Sequence, residues 1–247
     1  MKAFVLAAGL GTRLKPWTLS HPKALVEVGG VPMLKRVVEN LKDQGAESIT
    51  INVHHFASQI LDFLKSENWD GEINVSDESD LLLDTGGAIL KAERFLASDD
   101  SPILVHNVDI LSNADLRELV EAHEGNGADI TLLVCDRKSS RQLIFNPENL
   151  LRGWHNLSTD EYKPEGFTPF ENQKEYAFSG IYVISPRMIG VMKEKGFSGK
   201  FSIIDFFLAV CREYKVMAYP SENLRLIDIG KPETLARAQS EYMTIRR

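Results

Sequence analysis

Through residue 135 the chain alternates short apolar runs with stretches whose apolar positions recur every three or four residues. The runs are KAFVLAA at 2–8, SITINV at 48–53, EINVS at 72–76, PILVHNV at 102–108 and DITLLVC at 129–135. Continuous runs of this length predict strands covered on both faces of a parallel sheet. Between the first two, Leu34, Val37, Val38 and Leu41 recur at i, i+3, i+4 and i+7, with Pro32 before them and Gly45 after. That spacing predicts an amphipathic helix with its start and stop signals. Phe56, Ile60, Phe63 and Leu64 mark a second helix, and Leu116, Leu119, Val120 and His123 a third. The alternating order predicts a doubly wound, mostly parallel α/β sheet that binds its ligands outside the strand C-termini.

Beyond Cys135 the pattern changes. Residues 141–184 predict an antiparallel meander, with a turn at Asn146-Pro147-Glu148-Asn149 and a polar, aromatic-dotted stretch from Trp154 to Tyr176. A strand at 176–184, a helical segment near 201–213 and a strand near 224–229 follow, and Pro232 opens a helix to about Tyr242. No internal repeat or linker interrupts this. The expectation is a single domain over 1–247, with 1–135 the core and 136–247 an elaboration on the substrate side.

Composition narrows the class. With 43% hydrophobic and 26% charged residues the chain reads as an ordinary folded protein. At 247 residues its core needs no disulfide or metal. Cys135 and Cys211 lie far apart with no C-x-x-C pair, which fits a reducing compartment. No run of eighteen apolar residues predicts a membrane span, and MKAFVLAAGLGTR runs into a glycine loop without a cleavage site. A cytoplasmic protein is expected. The net charge of −7 argues against nucleic acid as the main partner. Residues 1–43 nevertheless hold seven Lys/Arg against three Asp/Glu, which is compatible with a local anion site or with an ordinary solvated surface.

The densest chemistry lies in Leu6-Ala7-Ala8-Gly9-Leu10-Gly11-Thr12-Arg13-Leu14-Lys15-Pro16, followed by Pro22-Lys23-Ala24-Leu25. A strand ending in small residues and two glycines lets the backbone approach a ligand and aim N–H groups at anionic oxygens. It is not a Walker A loop, because Thr12-Arg13 follows Gly11 where that motif has Lys-Ser/Thr. Nor is it the dinucleotide fingerprint, since Leu14 stands where a third glycine belongs.

These strings resemble the sugar-1-phosphate nucleotidylyltransferases, the NDP-sugar pyrophosphorylases. Asp84-Thr85-Gly86-Gly87, Asn107-Val108-Asp109, Phe178-Ser179-Gly180 and Asp228-Ile229-Gly230 extend the likeness over 1–240 in the family's order. The short length and the L-D-T-G-G and F-S-G-I strings look most like N-acetylmuramate 1-phosphate uridylyltransferases, with mannose-1-phosphate guanylyltransferase-like members close behind. The resemblance implies a Rossmann-like, GT-A-like sheet and the conversion of an NTP, UTP or GTP, with a sugar 1-phosphate into NDP-sugar and pyrophosphate. It implies nucleotide contacts at Ala8, Gly9, Gly11, Thr12, Arg13, Lys23, Thr85, Gly86 and Asn107, catalytic roles for Arg13, Lys23 and Asp109, and sugar contacts at Ser179 and Gly180. It also implies Mg²⁺ on Asp109 and Asp228; two hard carboxylates at strand ends suit that ion. Val108 stands where the family string has Gly, so the backbone beside Asp109 bears on the reading, because Val does not adopt the positive φ open to Gly.

The remaining residues weigh alternatives. The segment 66–115 holds twelve Asp/Glu against two Lys/Arg, and Asp77, Glu78, Asp80, Asp99 and Asp100 read as solvated loop charges. The Gly86-Gly87 pair reads as space for a flat base or sugar. Trp154 stacks on a sugar or packs, with packing favoured. Adjacent His54 and His55 point to opposite faces, and His106 reads as a packed strand residue. A phosphocholine-type cytidylyltransferase would use Trp154, Tyr162, Phe167, Phe170, Glu165 and Glu171 as a cage for a quaternary ammonium. A catalytically silent NDP-sugar-binding relative would keep the pocket without the reaction. A GT-A glycosyltransferase would show Asp-x-Asp where this chain has Asn107-Val108-Asp109.

Overall fold

A computed structural model describes residues 1–245. The first half runs β1 (Lys2–Leu6), β2 (Glu27–Val28), β3 (Val31–Pro32), α1 (Met33–Asp43), β4 (Ser48–Val53), α2 (Ala57–Ser66), β5 (Glu72–Asp77), α3 (Asp84–Lys91), α4 (Glu93–Leu96), β6 (Ile103–Asn107), β7 (Ile110–Ser112), α5 (Leu116–Gly125) and β8 (Ile130–Cys135). The second half runs β9 (Arg141–Phe145), β10 (Leu151–Asn156), β11 (Glu161–Lys163), β12 (Lys174–Ile184), α6 (Arg187–Glu194), α7 (Ile203–Val210), β13 (Val216–Pro220), β14 (Leu226–Asp228) and α8 (Pro232–Ile245).

Every apolar run named above is a strand, and each three- or four-residue periodicity is a helix. In α1 the buried residues are Met33, Leu34, Val37, Val38 and Leu41, the predicted face. Asp115 caps α5, its carboxylate accepting from the Arg117 and Glu118 N–H groups, a partner for two of the four unpaired amides at a helix start.

β6, β1, β4 and β5 form the parallel heart of the sheet, in that spatial order. The sheet is mixed rather than parallel as far as β8. β12 lies antiparallel between β6 and β8, and β13 closes that edge parallel to β8. The reason is visible in β12 itself, buried almost continuously from Ala177 to Ile184, so it suits an interior place with both faces covered. Its first residues, Lys174–Tyr176, turn away to pair with β9, which extends through β10 to β11 as the predicted meander. A register shift between Phe178 and Tyr182 marks the bend, as a bulge does where a strand changes partners.

Alternating side chains on β1 divide the interior. Ala3 and Val5 pack under α1, α2 and α5, while Phe4 packs on the other face with Ile89, Phe206 and Phe207. Cys135 and Cys211 are both free thiols, buried in the core. No helix among the described residues is long and apolar enough to cross a membrane.

Candidate active site

The parallel strands set the site by register. Leu6 at the end of β1 lies opposite Asn52 of β4 on one side and Asn107 of β6 on the other. All three strands therefore end at one edge, where an α/β sheet binds its ligands. Asn52 is almost fully buried, and its Oδ1 accepts from the Ala7 and Ala8 N–H groups at 2.6 and 3.3 Å. Its Nδ2 donates to Glu78 Oε1 at 2.8 Å, and Glu78 Oε2 accepts from the Leu83 N–H at 3.3 Å.

The reading of Glu78 as a solvated charge is thus corrected: it is fully buried. Burial pushes its carboxyl above the ordinary range against the opposing pull of Asn52 and Leu83. The chain Ala7/Ala8–Asn52–Glu78–Leu83 ties the start of the glycine loop to the segment that leads into α3. Its sequence signal is weak, because Asn52 shares β4 with the polar Ser48 and Thr50.

The two loop glycines serve different needs. Gly11 has φ 62°, and a Cβ there would lie 2.8 Å from Thr18 and 3.0 Å from the Lys23 side chain. Nothing lies within 4 Å of the place a Gly9 Cβ would occupy, so Gly9 leaves its space open to a ligand. Thr18 Oγ1 donates to the Gly11 carbonyl at 2.9 Å and pins the turn. Short helical turns at Thr12–Leu14 and Lys23–Leu25 then present Arg13 and Lys23 on the same side as Asp109.

Lys23 Nζ donates to Asp109 Oδ2, and Arg13 Nη2 lies 3.9 Å from Asp228 Oδ2. The two aspartates arrive on paired segments: β14 runs antiparallel to β7 with Asp228 opposite Ile110, and the Ile229 N–H donates to the Asp109 carbonyl at 3.0 Å. Gly230 completes the corner. Its N–H donates to Asp228 Oδ1 at 2.7 Å, and a Cβ would strike that oxygen and the Arg13 guanidinium.

Val108 bears directly on this corner. It is absent from the residues with positive φ, it is buried, and its N–H donates to the Leu6 carbonyl at 3.1 Å. The departure from Gly therefore leaves Asp109 on unstrained backbone.

Two cavities meet here. One of about 420 Å³ is walled by the loop from Leu6 to Arg13, Lys23, Leu82, Thr85, Lys200 and the Asn107–Asp109 strand end. The other, about 1080 Å³, is walled by Asp228, by the start of β9, by Trp154 and Phe178, and by α8. Arg13 belongs to both. Ala8, Gly9, Gly11, Thr12, Arg13, Lys23, Thr85, Asn107 and Asp109 are thus gathered at the smaller cavity and Asp228 at the larger.

Three expected contacts, Gly86, Ser179 and Gly180, sit one layer back. Gly86 is buried beneath the Phe201 ring and Gly87 against the Gly199 carbonyl, so these glycines admit the 199–201 segment instead of holding open space for a base. Thr85 Oγ1 accepts from the Ile203 N–H at 2.9 Å, capping α7. Ser179 is buried, its hydroxyl turned onto Ile181 in the β12 bend, and Gly180, at φ 82°, lies under the Asn107 amide. Trp154 packs against the core, the favoured reading, and its ring also lines the larger cavity, with Lys163 Nζ 5.3 Å from its centroid.

The predicted aromatic cage does not form around that cavity. Tyr162 stacks on His155 at 3.9 Å and on Phe167 at 5.8 Å, and Phe167 meets Phe170 edge-on. The donor set at Asp109 and Asp228 suits a divalent ion: two hard carboxylates on hydrogen-bonded backbone segments, each now paired with a side-chain cation whose place the ion would take.

Residues 2–245 match the nucleotidyl transferase family. Mannose-1-phosphate guanyltransferase from Aspergillus oryzae is 30% identical over 248 residues, covering 99% of this chain. The chain spans 65% of the length of that relative. N-acetylmuramate alpha-1-phosphate uridylyltransferase from Caulobacter vibrioides is 27% identical over 248 residues, covering 96% of this chain and 95% of the relative. Among solved structures, HddC from Yersinia pseudotuberculosis superimposes with a TM-score of 0.75 at 25% identity, covering 98% of this chain and 99% of that one, and has also been solved with GMP-PN.

Proposed function

The chain belongs to the nucleotidyl transferase family, and from that premise we propose that it transfers a nucleotidyl group from an NTP to a sugar 1-phosphate. The observation that carries this is the pairing of Lys23 with Asp109 and of Arg13 with Asp228 where the smaller, loop-walled cavity meets the larger one.

A phosphate oxygen of the sugar attacks the α-phosphorus, the bond to the β-phosphate breaks, and pyrophosphate leaves with the electron pair. A phosphate monoester has its second pKa near about 6, so the nucleophile is already ionised at neutral pH and no general base is needed. The residues need only align the reactants and neutralise charge. The Gly9 and Gly11 amides and Arg13 hold the leaving β- and γ-phosphates, and Lys23 bridges the α-phosphate and the incoming phosphate. Asp109 and Asp228 would hold Mg²⁺, which supplies positive charge to the phosphates when bound.

The relatives leave two readings of the substrate pair: UTP with N-acetylmuramate 1-phosphate, and GTP with mannose 1-phosphate. A phosphocholine-type acceptor is disfavoured, because the larger cavity is lined by cations, which repel a quaternary ammonium. A silent binding relative would have no use for the intact Arg13, Lys23, Asp109 and Asp228 set. A single chain folding around one mixed sheet, in the cytoplasm, completes the proposal, and two free buried thiols support that compartment.

The test is a matrix of four NTPs against several sugar 1-phosphates with Mg²⁺, read as pyrophosphate release. Turnover in at least one pair is expected. No turnover in any pair, with nucleotide still bound, would favour the silent relative.

A further inference from the structure

The larger cavity carries more positive charge than the proposed reaction requires. Arg13, Arg137, Lys138, Arg141, Lys231 and Arg237 line it, against one carboxylate, Asp228. That excess stands out in a chain whose net charge is −7, and like charge clustered along a concave wall focuses a field that draws anions in. Arg237 is engaged by Glu241 at 3.1 Å and Arg13 faces Asp228. Among the described residues no carboxylate lies within 4.0 Å of Lys138, Arg141 or Lys231.

These cations stand on two walls. Arg13 and Lys231 flank Asp228, beside the phosphate loop, on the side where the reacting phosphates are placed. Lys138 and Arg141, both exposed, stand at the entrance to β9 on the wall shared with Trp154 and Phe178, which takes no part in the smaller cavity. Arg137 is held in that wall by its bond to the Phe178 carbonyl at 3.1 Å, which fixes the segment without neutralising it. Ser140 also lines this wall, and Ser139 turns its hydroxyl onto the Arg141 carbonyl at 2.9 Å, which fixes the start of β9. A neutral hexose would set its ring against this wall and leave the charges unpaired. The volume of about 1080 Å³ also exceeds what a hexose phosphate fills.

We infer that Lys138 and Arg141 form a subsite for a second anionic group of the acceptor, so that the preferred substrate is a sugar 1-phosphate carrying a further carboxylate or phosphate away from C1. The inference rests on the nucleotidyl-transfer reading and selects among its acceptors. Phosphate and carboxylate share the chemistry that the subsite recognises, charge-assisted hydrogen bonds from Lys and Arg.

Matched pairs of acceptors test it. N-acetylmuramate 1-phosphate differs from N-acetylglucosamine 1-phosphate by a lactyl carboxylate, and glucose 1,6-bisphosphate differs from glucose 1-phosphate by a second phosphate. Pyrophosphate release is measured for each with UTP and GTP, in the wild type and in the double variant Lys138→Gln/Arg141→Gln, whose exposed sites leave the core untouched. The expected result is kcat/KM about 10-fold or more higher for the anionic member of at least one pair, the size of a charged hydrogen bond. That ratio collapses toward one in the double variant. The pair that shows it identifies the anion as carboxylate or phosphate. Equal rates within both pairs, a preference for the neutral member, or a preference that survives in the double variant would overturn the inference while leaving the reaction standing. No release with any acceptor would overturn the reaction assignment itself, and this inference with it.

Discussion

Asn52 closes β4 with its side chain buried, holding the Ala7 and Ala8 amides with one end and Glu78 with the other. Replacing it by Ala strands two backbone donors and a carboxylate away from water. Each such loss costs about 1–3 kcal/mol. Asn52→Ala is therefore expected to lower stability by about 2 kcal/mol or more in urea denaturation and to weaken nucleotide binding through the freed glycine loop. An unchanged midpoint would show that the chain of hydrogen bonds carries little. At this scale the sequence was most legible where chemistry and backbone demand coincide. Gly11 needs its φ of 62°, Arg13 and Lys23 follow at fixed offsets, and all three meet at the site. Glu78 was illegible because a carboxylate two residues before another acid looks solvated, and only the fold shows it tucked inside just after β5, its N–H on the Val53 carbonyl.

The helices and strands tell a similar story with different failures. β1, β4, β5, β6 and β8 announce themselves by apolar runs, and α1, α2 and α5 by their period. β7 does not, being three residues long directly after Asp109, too short for any period to register. The interior position of β12 depends on pairing with both β6 and β8, long-range information absent from its own residues. In α3 the double glycine reads as an opening for a ligand, and the structure shows instead a close approach of the 199–201 segment. Gly87→Ala sets a methyl against the Gly199 backbone carbonyl, which cannot rotate away as a side chain can. The expected cost is about 1–3 kcal/mol, as for other overpacked sites, seen as a lower melting temperature. The displacement would also reach Lys200 on the cavity wall. A melting temperature equal to that of the wild type would mean that the 199–201 segment yields freely.

Over the whole molecule, charge and burial set how the protein responds to its surroundings. His106 and His123 are both buried, and desolvation holds the pKa of each down to about 4, from an ordinary value of 6.5. The folded state thus keeps them neutral while the unfolded chain protonates them. Stability is accordingly constant from these groups above about pH 6.5 and is lost as pH falls from there toward about 4. Proton NMR of the imidazoles is expected to show two rings that stay neutral at pH 5.5, alongside a melting temperature that declines over the same range; rings titrating near 6.5 would contradict it. The excess of acid over base across the chain coexists with a cationic cavity, so anions are drawn to one concave face. The most direct test of the proposed reaction follows the phosphorus atoms. NTP labelled with ³²P at the α or the γ position is incubated with Mg²⁺ and an accepted sugar 1-phosphate, using the wild type, Lys23→Ala and Asp109→Ala. The account predicts α label in the NDP-sugar, γ label in pyrophosphate, and a rate lower by about 10²–10³ in both variants while each remains folded by circular dichroism. Label leaving as γ-phosphate alone, or near-normal turnover in either variant, would contradict it.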